Sequence, residues 1–86
     1  MTDVARARGS FYAGYALYQR GAAVEAPSTA ASARAALPIF QRAQAHLRQA
    51  GPFGASQPSS NLSGLLEAVS AYIARQEQII SQARGR

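Results

Sequence analysis

The residues able to do chemistry are few, and their spacing argues against a reaction centre. His46 is the only histidine, and the carboxylates are Asp3, Glu25, Glu67 and Glu77. General acid–base work needs such a group within hydrogen-bond reach of the reacting atom, in a matched pair or oriented by a neighbour. No recognisable motif pairs His46 with a carboxylate. Glu67 and Glu77 fall on one helical segment, about 15 Å apart along its axis at 1.5 Å per residue, too far for paired carboxylate chemistry. The chain has no cysteine, which excludes thiolate nucleophiles, disulfides and thiolate metal sites. No glycine-rich phosphate loop is present, and the serines have no evident base. The sequence therefore predicts no catalytic residue, no metal site and no cofactor, with His46 as a surface or rim residue.

Charge is the other chemical feature. The net charge is +5, and every basic residue is an arginine: Arg6, Arg8, Arg20, Arg34, Arg42, Arg48, Arg75, Arg84 and Arg86. They are spread over all segments, without the clustered stripe or recognition motif of a nucleic-acid binder. A solvated helix surface is the preferred reading, and a basic nucleic-acid-binding helical domain is the weaker alternative. Arginine and alanine enrichment together suggest a GC-rich bacterial origin. No apolar run approaches the roughly 20 residues that span a bilayer, and the N-terminus lacks an apolar signal core. The expectation is a soluble protein without a membrane partner, cytoplasmic by default, or a piece of a longer one.

Three helical segments must position these residues in a single domain of 86 residues. The first spans about 3–25, where Phe11, Tyr15, Tyr18 and Ala22 recur at helical spacing. Thr2 or Ser10 could cap it, and Gly9 with Ser10 should let the residues before Ser10 fray. Pro27 breaks the chain, and Ser28 or Thr29 can cap a second helix over about 29–49. Pro38 inside that helix predicts a kink or a late start. Gly51 and Pro52 should end it. The Gly-, Pro- and Ser-rich stretch 51–61 reads as a loop pinned by Phe53. Ser60 or Asn61 then caps a third helix, about 62–83, whose apolar stripe runs from Leu62 to Ala83. Gln76 interrupts that stripe. It reads as a side chain reaching solvent at the bundle edge, or as a register-setting residue in self-association. The predicted fold is all-α, a three-helix antiparallel bundle.

Ala13-Gly14, Leu17-Tyr18 and Gly21, followed by Ala36, Phe40 and Ala43, resemble the signature of a tetratricopeptide repeat. Gly14, Ala36, Phe40 and Ala43 would form the seam of its helical hairpin, with the third helix as a cap. The match covers about residues 10–51. It departs from the family in three ways: the signature Trp is replaced by Ser10, the closing proline is displaced to Pro52, and Ala22 to Arg34 lengthen the connection. The longer connection should extend both helices or enlarge the turn.

The resemblance implies a non-catalytic protein–protein interaction or scaffolding module. Its partner would be a protein or peptide bound on Phe11, Tyr15, Tyr18 and Gln19, with Arg20 or Arg42 favouring acidic groups. If the third helix covers this face instead, the same rings are core. The alternatives are a bundle that self-associates into homo-oligomers, and an engineered or excised domain without a native task.

Overall fold

The computed structural model describes residues 3–84 and is all-α. Its helices are α1 (Asp3–Glu25), α2 (Ala30–Arg48), α3 (Gly51–Ser56) and α4 (Leu62–Arg84), with a 3-10 turn at Pro58–Ser60. Thr2, one of the two expected caps of α1, lies outside the described residues. Ser10, the other, lies within α1, which is helical from Asp3 despite Gly9. The connection to α2 is short, residues 26–29.

Thr29 caps α2 reciprocally. Its Oγ1 accepts the Ser32 N–H at 3.1 Å, and Ser32 Oγ accepts the Thr29 N–H at 2.9 Å. Ser28, just before it, adopts a left-handed φ of 54°, which lets the chain reverse between the helices. Pro38 does not delay α2, which is continuous from Ala30 to Arg48.

The expected loop at 51–61 is largely ordered into α3 and the 3-10 turn. Gly51 and Pro52 follow the end of α2 but also open α3, because a proline in a first turn loses no helical hydrogen bond. Phe53 is buried and holds α3 against α1 through Phe11, with ring centroids 5.1 Å apart. Asn61 precedes α4 in a left-handed conformation, and its backbone carbonyl accepts the Leu65 N–H at 3.0 Å.

α2 is the shared wall of the molecule. α1 packs on it along one side and α4 along another, while α1 and α4 hardly pack on each other. At the α1–α2 seam, a Cβ added at Gly14 would lie 2.7 Å from Leu47 Cγ, and one at Gly21 would lie 2.8 Å from the Phe40 ring. The absent side chains let the two backbones approach closely. Phe40 is fully buried, and its other face stacks on Tyr72 of α4 at 4.7 Å. Ala36 and Ala43 are fully buried beside it. The register descends along both seams: Gly14 meets Leu47 and Gly21 meets Phe40, while Gln44 meets Ser70 and Phe40 meets Tyr72.

The molecule measures 50 × 17 × 16 Å with a radius of gyration of 14.1 Å. A compact domain of this length would have about 12 Å, so the chain is a rod. Ala7, Ala33, Ala36, Ala43 and Ala50 make up half of the buried apolar side chains among the described residues.

One sequence expectation fails inside this core. Gln76 is completely buried rather than at the solvent edge. Its Nε2 donates to Glu25 Oε1 at 3.4 Å, and Arg75 Nε sits 2.6 Å from the same oxygen. Arg75 Nη2 also donates to Ser28 Oγ at 3.1 Å. The end of α1 and its turn are thereby tied to α4. Glu25 is mostly buried, so an uncompensated charge there would be costly; Arg75 and Gln76 offset it.

Candidate functional site

Successive residues of an α-helix are turned by about 100°, so Val4, Arg8, Tyr12, Tyr15 and Gln19 share one side of α1. Val4, Tyr12 and Tyr15 are 41%, 54% and 41% exposed and are the exposed large hydrophobics among the described residues. Gln19 is exposed beside them. Arg8 Cζ lies 5.7 Å from the Tyr12 ring centroid, a cation–π contact that fixes a positive charge on this face.

The rings form a ladder along α1. Phe11 meets Tyr12 edge-on at 5.5 Å and stacks on Tyr15 at 6.3 Å. Tyr15 meets Tyr18 at 6.2 Å, and Tyr18 meets Tyr72 of α4 edge-on at 5.8 Å. Phe11 is buried under Phe53, and Tyr18 is half-buried. The predicted stripe therefore divides: Phe11 belongs to the core, Tyr18 bridges to α4, and Tyr15 faces outward with Tyr12. The cover over Phe11 is Phe53 of α3, within the stretch expected to be loop, and Tyr72 of α4 meets the ladder at Tyr18.

Arg20 and Arg42 are exposed, but they do not join this face. The helical turn puts Arg20 about 80° round α1 from Tyr12 and about 140° from Tyr15, and Arg42 is on α2. The cation beside the rings is Arg8, which sequence reasoning missed. Its spacing of four from Tyr12 was the available signal. His46 is half-buried in the last turn of α2. Among the described residues, no three His, Asp or Glu side chains gather as a metal site, and no helix is long and apolar enough to cross a membrane.

No family model matches the chain, and neither a curated protein nor a solved structure gives a significant match.

At its N-terminal end the aromatic face opens into a cleft of about 700 Å3 between α1 and the segment of α3 and the 3-10 turn. Val4, Phe11, Tyr12 and Phe53 line it on one side, and Arg8, Ser56, Gln57, Ser59 and Ser60 make it as polar as it is apolar. Ser60 Oγ is buried without a hydrogen-bond partner among the described residues. The remaining distinctive polar cluster, Glu25 with Arg75 and Gln76, is spent on holding helices together.

Proposed function

We propose that the chain is a non-catalytic protein–protein interaction or scaffolding module, and that the Val4–Tyr12–Tyr15 side of α1 is its contact surface. In this reading α1 and α2 form a tetratricopeptide-like hairpin with α4 as the cap, a three-helix antiparallel bundle to which α3 is an accessory. Supporting it are the close seam at Gly14 and Gly21 and the descending register of both helix pairs.

The observation that carries the reading is the position of the large exposed side chains. All three lie on one side of one helix, over a buried phenylalanine. Tyrosines supply large contact area at small entropic cost and are enriched where proteins meet. The partner surface is an apolar protein or peptide segment with acidic groups to meet Arg8.

The test compares the wild-type chain with Tyr12→Gln/Tyr15→Gln as bait for proteins of its own source cells, alongside light scattering over a concentration series. The expected result is a protein retained by the wild type and lost by the folded variant. Retention unchanged in the variant overturns the assignment of this face. Concentration-dependent dimers abolished by the variant would make a second copy of the chain the partner.

A further inference from the structure

We propose that the α2–α4 side of the rod is an interface between two copies of the chain, related by a two-fold axis parallel to the rod. α4 carries a wider apolar stripe than its own bundle covers. Val69 and Gln76 at the centre of the stripe are fully buried, whereas Leu66, Ile73 and Ile80 recur every seven residues along one edge and are only half-buried. That spacing makes a straight seam along which a further helix can pack. Leu37 of α2 is half-buried across a groove from Ile80, and Arg34, Glu77, Ser81 and Arg84 complete the lining. Gln76, read in the sequence as a register-setting residue for self-association, is inside the bundle, so this seam is a different one.

Charge decides what covers the groove. Arg34 and Glu77 are exposed and make no ion pair among the described residues, in contrast to Arg75 and Glu25. The face holds both signs, the acid on α4 and a base on α2, so the surface that complements it is a second copy of itself. Their heights match as well. From the Phe40–Tyr72 stack, Arg34 lies six residues back along α2 and Glu77 five residues on along α4, about 9 and 7.5 Å at 1.5 Å per residue. A two-fold axis parallel to the helices lays α4 of each copy over α2 of the other at unchanged height, an isologous contact. Glu77 of each copy then meets Arg34 of the other, and Leu37 of each enters between Ile73 and Ile80 of the other. Every α2 gains a second antiparallel α4, which is the packing of a four-helix bundle. A contact of this length stands at the small end of protein interfaces, so the dimer is weak and depends on concentration.

The experiment is sedimentation equilibrium of the full chain from micromolar to millimolar concentration. The wild type should pass from monomer to dimer. Glu77→Arg alone and Arg34→Glu alone each set like charges against each other at both contacts and should weaken the dimer about tenfold. Both residues are exposed, so both variants keep the fold, which circular dichroism checks. An equimolar mixture of the two single variants should recover association as a heterodimer, because opposite charges then meet at both contacts. A wild type that stays monomeric, a single variant that dimerises like the wild type, or a mixture no tighter than its components overturns the proposal. Tyr12 and Tyr15 do not line this groove. Tyr12→Gln/Tyr15→Gln should therefore leave the dimer intact, and this interface and the contact surface on α1 stand or fall separately.

Discussion

The two sides of α1 reverse the usual order of sizes. Where α1 meets α2 it presents Gly14 and Gly21, both buried, while Val4, Tyr12 and Tyr15 are exposed on another side. The small residues are inside because the backbones meet there: Gly14 lies under Leu47 and Gly21 under Phe40. The tyrosines outside leave apolar ring surface in water, which folding alone does not favour. One side is therefore explained by packing within the chain, and the other is where the proposed contact surface lies.

The largest expected effect breaks the packed side. Phe40→Ala removes the ring that fills the space over Gly21 and stacks on Tyr72, and should cost about 3–5 kcal/mol in urea unfolding. Next is Gly14→Ala. The new methyl would overlap the fully buried Leu47, and overpacking should outweigh the gain in helix propensity, for a net loss of about 1–2 kcal/mol. Arg75→Met tests how firmly the end of α1 is held to α4. The ion pair to Glu25 is half in solvent on the arginine side, so a loss of about 1 kcal/mol is expected, diminishing in high salt. The smallest effect has the opposite sign. A Cβ at Gly9 meets nothing within 4 Å, so Gly9→Ala should stabilise by about 0.5–1 kcal/mol through propensity alone. The same substitution at positions 9 and 14 of one helix should thus move the melting temperature in opposite directions.

What could be read from the sequence was local or periodic. The spacing of Ala36, Phe40 and Ala43 marked residues that are all buried, and Thr29 stood where a cap was needed. Gly51-Pro52 misled because the same two residues can end one helix and begin another, and the choice depended on Phe53 finding Phe11 forty-two residues away in sequence. Gln76 misled for a similar reason. Its Nε2 has a partner in Glu25 on another helix, while its buried Oε1 has none among the described residues. The stripe of Phe11, Tyr15 and Tyr18 was visible as a period, but its division between core and surface was set by α3, which the composition of residues 51–61 concealed. Arg8 is local, and its spacing of four from Tyr12 made the pair legible in the sequence.

The central claim is that Tyr12 and Tyr15 form a surface for contact and are not part of the packed core. The free energy of urea unfolding of Tyr12→Gln/Tyr15→Gln, measured beside that of Phe40→Ala, tests it most directly. The account predicts a double variant within about 1 kcal/mol of the wild type, since both rings are substantially exposed. A loss as large as that of Phe40→Ala would make the rings core and contradict it.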